Sequence, residues 1–94
     1  GLAGVIASVA MRVDRSRITA IQKELTAMPK LVFLAVCVGS SDISFTLTAA
    51  DPQQLIELIS TRVQTIDGVV ATDTLFMVDV VRFSPYMWRL DVAE

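Results

Sequence analysis

Twice along this chain the apolar residues shift from every second position to every third or fourth. The order of those shifts limits the fold more than any other feature. Val5, Ala7, Val9, Met11 and Val13 alternate with Ser8, Ala10 and Arg12, the spacing of a half-buried strand. After Asp14 the stripe becomes Ile18, Ile21, Leu25 and Met28, with Arg17, Lys23 and Glu24 off it. This predicts an amphipathic helix capped by Asp14 or Ser16 and stopped by Pro29. Leu31 to Val38 then reads as a strand apolar on both faces, and Gly39-Ser40-Ser41-Asp42 as a turn of hairpin length. Ile43, Phe45, Leu47 and Ala49 alternate with Ser44, Thr46 and Thr48 in a third strand. Asp51-Pro52-Gln53-Gln54 opens a second helix with a carboxylate cap and proline in the first turn. Its stripe runs through Leu55, Leu58, Ile59, Arg62, Val63 and Ile66, and Asp67-Gly68 closes it. A last strand is expected from about Thr74 to Phe83. Beyond Ser84-Pro85, the tail Tyr86 to Leu90 reads as a short strand or packing arm.

The order β-α-β-β-α-β is that of two interleaved split βαβ units. It predicts an α+β fold, ferredoxin-like βαββαβ, with both helices on one face of a four-stranded antiparallel sheet. Ninety-four residues make a single domain, 1–94. The longest apolar run is eight residues, Leu31 to Val38, far short of the roughly 18 needed to span a bilayer, so no membrane segment is expected. Gly1-Leu2-Ala3-Gly4 does not read as a signal peptide. Hydrophobic residues are 53% of the chain and mean hydropathy is +0.60, which excludes disorder.

That same apolar content raises a problem for the uncovered face of the sheet, which should be polar. Strand three obeys with Ser44, Thr46 and Thr48, whereas strand two and the last strand carry bulk on both sides. A second copy covering the surplus is the reading preferred here: a sheet-to-sheet homodimer, open to higher assembly. The competing reading folds the Trp88-containing tail over the patch within one protomer.

Chemistry is narrowed by what is missing. The chain has no His and no Asn, so imidazole acid–base catalysis, His metal ligands and Ser–His–Asp triads are all excluded. Its net charge is −2, and Arg12, Arg15 and Arg17, the nearest approach to a basic cluster, are interrupted by Asp14. Direct nucleic-acid binding is therefore not expected. The single cysteine, Cys37, fits a reducing compartment such as the cytoplasm and reads as a small core residue. Asp79, inside an apolar strand, is expected to pair with a base such as Arg12 or Arg82, or to lie at an edge. No cofactor and no metal site is expected.

The best site candidate is the Gly39–Asp42 turn. Gly39 permits positive φ, Ser40 and Ser41 add hydroxyl donors, and Asp42 offers a carboxylate for an ammonium group. Together these suit a zwitterion, although Gly-Ser-Ser-Asp is also ordinary turn chemistry. Thr72 and Thr74, two residues apart, point to one side at the start of the last strand, where they could complete a pocket or simply begin a strand.

The run Val38-Gly39-Ser40-Ser41-Asp42-Ile43-Ser44-Phe45-Thr46-Leu47, continued through Asp51 and Leu55, is followed by Gly68-Val69-Val70-Ala71-Thr72-Asp73-Thr74. In this order and spacing it resembles the C-terminal effector domain of the leucine-responsive/asparagine (Lrp/AsnC) regulator family, from Val5 to Arg82. The chain differs from that pattern in having Val38 before the glycine and Asp67 in place of a proline. The resemblance implies a small-molecule effector, commonly an amino acid, bound by Gly39, Ser40, Ser41, Asp42, Thr72 and Thr74. It also implies dimers formed through the sheets and assembled into rings, and a non-enzymatic role in transcription regulation. DNA would be contacted only through a helix-turn-helix domain absent from this chain. The competing function is an enzyme on the same scaffold, of the cofactor-independent monooxygenase type. Those enzymes usually work with His, Asn or Trp in a barrel pocket. An acylphosphatase lacks its Asn here, and a copper chaperone lacks its second cysteine. An RNA-binding sheet wants aromatics on its central strands and a basic face, whereas strand one has no aromatic and the chain is acidic.

Overall fold

The computed structural model describes residues 4–77. β1 (Val5–Val13) leads through a 3-10 turn, Arg15–Arg17, into α1 (Ile18–Thr26). β2 (Leu31–Val36) and β3 (Ile43–Ala49) form a hairpin. α2 (Pro52–Leu58) continues as a π-helical turn, Ile59–Val63, and β4 (Val69–Met77) closes the order. The sheet runs β2-β3-β1-β4 with every neighbouring pair antiparallel. β1 and β2 are thereby parallel to each other across β3, as are β3 and β4 across β1, so each helix serves as a crossover. This is the ferredoxin-like α+β arrangement read from the spacing of apolar residues.

The alternation that predicts the strands also sorts their faces. Ala7, Val9, Met11 and Val13 on β1 are buried together with Ile43, Phe45, Leu47 and Ala49 on β3. Ile21, Leu25 and Met28 from the α1 side and Leu55, Ile59, Val63 and Ile66 from the α2 side complete the same core. One core holding both helical stripes and one strand face means that both helices lie on one side of the sheet. On the other side the middle of the central strands presents small or polar residues, with Ser8 opposite Thr46 and Ala10 opposite Ser44, and Ile6 stands at one end of β1. Bulk appears at the two edges instead: Phe33 opposite Thr46 on β2, and Leu75 and Met77 opposite Ser8 and Ile6 on β4. Leu75 is 66% exposed.

Two boundaries and one helix pitch differ from the sequence reading. β4 begins at Val69, five residues before the expected Thr74, because the chain leaves Gly68 at φ +97° and Val69 pairs at once with Val13. β2 stops at Val36 rather than Val38, since the Cys37 N–H donates to the Asp42 carbonyl (2.8 Å) and closes the hairpin loop. The second helix changes pitch midway, with the Gln64 N–H donating to the Ile59 carbonyl (2.8 Å). The hydroxyls of Ser60, Thr61 and Thr65 donate to the carbonyls of Ile56, Glu57 and Thr61, which serves backbone acceptors around the wider turn. The caps are as expected. Asp14 accepts from the Ser16 N–H (3.0 Å) ahead of the 3-10 turn, and Asp51 accepts from the Gln54 N–H (2.9 Å) with Pro52 in the first turn. The remainder of the expected last strand, Asp79 and the Trp88 tail lie outside the described residues.

Candidate functional site

The hairpin turn between β2 and β3 is built by the end of β1. Asp42 directly precedes β3, next to the last pair of the β1–β3 ladder, Met11 with Ile43, and its N–H donates to the Met11 carbonyl (2.8 Å). Its side chain turns inward and is 8% exposed as a residue, the one buried charged or polar residue among those described. One carboxylate oxygen accepts from the Val13 N–H (2.9 Å), and the other from the Arg15 guanidinium (2.7 Å). The Val13 bond is the main reason that the Asp42 carboxyl is held below its ordinary pKa, with the nearby charges of Arg15 and Arg12 adding to it against the opposing effect of desolvation. Arg12 reaches the same turn from the other side and donates to the Ser40 carbonyl (2.6 Å).

Every one of these bonds originates from a short stretch of β1 and its exit, Met11 to Arg15. That stretch holds the turn at its backbone and at Asp42, leaving the Ser40 and Ser41 hydroxyls without an internal bond among the described residues. Gly39 lies at φ +127°, a conformation that L side chains rarely adopt. Among the described residues a Cβ placed there would meet nothing within 4 Å, which leaves the backbone at Gly39 open on that side.

Gly39, Ser40, Ser41 and Asp42 are thus brought together as the sequence reading expects, but Asp42 is engaged from within. A ligand ammonium would share a carboxylate whose two oxygens already accept bonds. Thr72 and Thr74 do share one side of a strand, the helix-bearing side, opposite Met11 and Val9. They stand inside β4 rather than at its start, and the Thr72 hydroxyl accepts from the Gln64 side-chain amide (3.1 Å). Thr72, Met11 and Ile43 form one row across the sheet, which sets β4 about 10 Å from the β3 end of the turn at ordinary strand spacing. Within one protomer β1 separates the two groups.

Sequence reasoning missed Arg12 and Arg15 as parts of the turn. The available signal was topological. In a split βαβ the end of β1 lies beside the β2–β3 hairpin, so cations just before and after Val13 are positioned to meet Asp42. Gln64 was missed because the π turn that sets its position has no signature in the apolar stripe.

Among the described residues no helix is long and apolar enough to cross a membrane. Comparison with known proteins matches residues 6–87 to the family described as the Lrp/AsnC ligand binding domain. An uncharacterised HTH-type transcriptional regulator of Pyrococcus abyssi is 26% identical over 76 residues, covering 81% of this chain and 48% of that protein. A second such regulator, from Pyrococcus horikoshii, matches to the same extent. The chain therefore spans about half the length of these curated relatives. Among solved structures, AsnC of E. coli superposes with a TM-score of 0.80 at 14% identity, over 87% of this chain and 56% of that one. A Thermus thermophilus protein gives 0.78 at 19% identity, over 84% of this chain and 99% of its own. A transcriptional regulator of Neisseria meningitidis, solved as a complex with L-Met, gives 0.73 at 12% identity, over 88% and 55%. At these identities the superpositions establish the shared fold.

Proposed function

The chain belongs to the Lrp/AsnC ligand-binding-domain family, and from that premise we propose that it is an amino-acid-sensing and oligomerisation domain of a transcriptional regulator. The single observation that carries the reading is the Gly39–Asp42 turn, which is fixed from behind by Met11 to Arg15 and open in front at Gly39. A site fixed before the ligand arrives avoids the ordering cost that a floppy loop would add to binding. Ser40 and Ser41 are the donors for the effector's carboxylate, and Asp42 orients the turn and shares its charge with the ammonium. Thr72 and Thr74, on the far side of β1, contribute from a neighbouring subunit. The L-Met complex of the Neisseria regulator supports an amino acid as the effector class.

The chain self-associates through the uncovered sheet face, where Phe33, Leu75 and Met77 flank a centre of Ser8, Ala10, Ser44 and Thr46. Dimers assemble further into rings, and effector binding favours one assembly over another by its differential affinity for the two. DNA contact belongs to a helix-turn-helix partner domain. A non-catalytic role fits the chemistry: a carboxylate held ionised by an N–H and a guanidinium is a poor general base near neutral pH.

Light scattering and calorimetry with the twenty standard L-amino acids test the proposal. At least one is expected to bind and to change the mass of the oligomer. A chain that remains monomeric at tens of micromolar and takes up no amino acid would overturn it.

A further inference from the structure

We infer that Arg12 is the carboxylate receptor of the effector site. The inference rests on the reading of the Gly39–Asp42 turn as part of that site and adds the residue that recognises the acidic end of the ligand.

The three arginines around the exit of β1 are not equivalent. Arg15 is paired with Asp42 at 2.7 Å, and Arg17 with Asp67 at 3.2 Å. Arg12 makes no ion pair with a carboxylate among the described residues, and it donates to a neutral group, the Ser40 carbonyl. A guanidinium has five N–H donors in a rigid plane, so this single bond anchors the group and leaves an edge of the plane for another acceptor. The anchor fixes the charge within the turn itself, next to Gly39, whose outer side is open.

Among the described residues no carboxylate pairs with that charge, and Asp73, opposite Ala10, stands one row along on the same face. Arg12 is exposed and projects from the uncovered side of β1, since Met11 and Val13 on either side of it are buried in the core. It stands at the turn end of that face, past the last β1–β3 pair and beyond the Ser8–Ala10 centre assigned to self-association. Its cross-strand neighbour on β4 is Ala71, and the preceding residue on the same face of β1 is Ala10. Neither side chain can reach over the guanidinium. Asp42, the acid just before β3, senses the Arg12 charge but directs both oxygens to Val13 and Arg15. A fixed, planar cation beside an accessible glycine and two serine hydroxyls matches a carboxylate, whose two oxygens take parallel N–H bonds from such a plane. Serine hydroxyls alone supply no charge, so Arg12 gives the site its preference for an acid over a neutral analogue.

The test measures binding of the twenty L-amino acids and of their α-carboxamides to the full 94-residue chain by calorimetry. The wild-type chain is expected to prefer the acid over its own amide by about tenfold or more. Arg12→Gln should weaken the acid by about ten- to hundredfold, the range for a charge-assisted hydrogen bond. It should leave the amide within about twofold, and Arg12→Lys should recover part of the loss. An acid and an amide that bind the wild-type chain equally would overturn the inference, with no variant required. So would an Arg12→Gln protein that binds the acid as the wild type does, or one that weakens acid and amide alike, which would reveal a purely structural role in holding the turn. If neither acids nor amides bind the wild-type chain, the effector reading itself fails and this inference with it.

Discussion

Two turns are fastened by the same corner of the chain, and they are fastened for different purposes. The β2–β3 turn at Gly39–Asp42 is held by Arg12, Val13 and Arg15; the junction at Asp67-Gly68 is held by the Asp14 N–H, which donates to the Gly68 carbonyl (2.8 Å), and by Arg17. Both glycines have positive φ, +127° and +97°. Around Gly68 the space is full: a Cβ there would lie 2.7 Å from the Arg17 Cβ and 3.3 Å from the Ile21 Cδ1. Around Gly39 nothing among the described residues comes within 4 Å of such a Cβ. One glycine closes a helix against the core, while the other leaves a backbone within reach of something outside. Positive φ alone therefore does not distinguish a glycine packed against its neighbours from one whose backbone is left accessible; the space on the Cβ side does.

Alanine at each position breaks or sharpens that contrast. Gly68→Ala combines an unfavourable backbone conformation with a collision against Arg17 and should cost about 3 kcal/mol of stability in urea denaturation. Gly39→Ala carries the conformational part alone and should cost about 1–2 kcal/mol. Its larger consequence belongs to ligand binding, because the new methyl group occupies the open side of the turn. Equal destabilisation of the two variants would remove the distinction between a filled and an empty corner.

Much of this molecule is legible in its sequence, and the parts that are not share a cause. The alternation of Ile43, Phe45, Leu47 and Ala49 fixes which face of β3 is dry, and the stripe of Ile21 and Leu25 fixes the buried side of α1, because burial follows directly from period. Asp51 and Pro52 mark the start of α2 because an N-terminal cap is a local device. The early start of β4 is less visible: Val69 and Val70 follow Gly68 immediately, and only pairing with Val13 decides that they are strand. The π turn at Ile59–Val63 leaves the buried positions near their helical spacing and so hides in the stripe. Asp42 is visible as a carboxylate in a turn, but its engagement with Val13 and Arg15 depends on a contact between positions nearly thirty residues apart. Local chemistry can be read from the chain. Which of two plausible partners a charged group takes is decided by topology.

Asp42→Asn sharpens the comparison at the Arg15 contact: the amide oxygen can still accept from the Val13 N–H, while the amide NH2 can neither carry the charge nor accept from Arg15. Because the folded protein holds this carboxyl below its ordinary value near 3.8, the ionised form is the one that folding favours. The stabilisation from the charge is complete above that value and is lost as pH falls through the depressed folded value. At pH 7 the variant should melt about 3–5 °C below the wild type. The gap should narrow as pH falls below about 4, in the window set by the depressed pKa. A gap that is constant across this range would mean that the lost stability is not electrostatic.

The smallest effect is expected at the closed corner, where charge contributes least. Arg17 and Asp67 are 46% and 85% exposed at their side chains, against 11% for Asp42 in its own pair. Water screens an exposed pair, and holding two side chains together costs entropy that offsets most of the attraction. Asp67→Asn should therefore change stability by less than about 0.5 kcal/mol, with little dependence on salt up to about 1 M. The Asp14–Gly68 backbone bond and the packing of Arg17 against Gly68 would still hold the junction. A larger loss, erased by salt, would show that this corner depends on its ion pair after all, and the two turns would then be fastened by the same means.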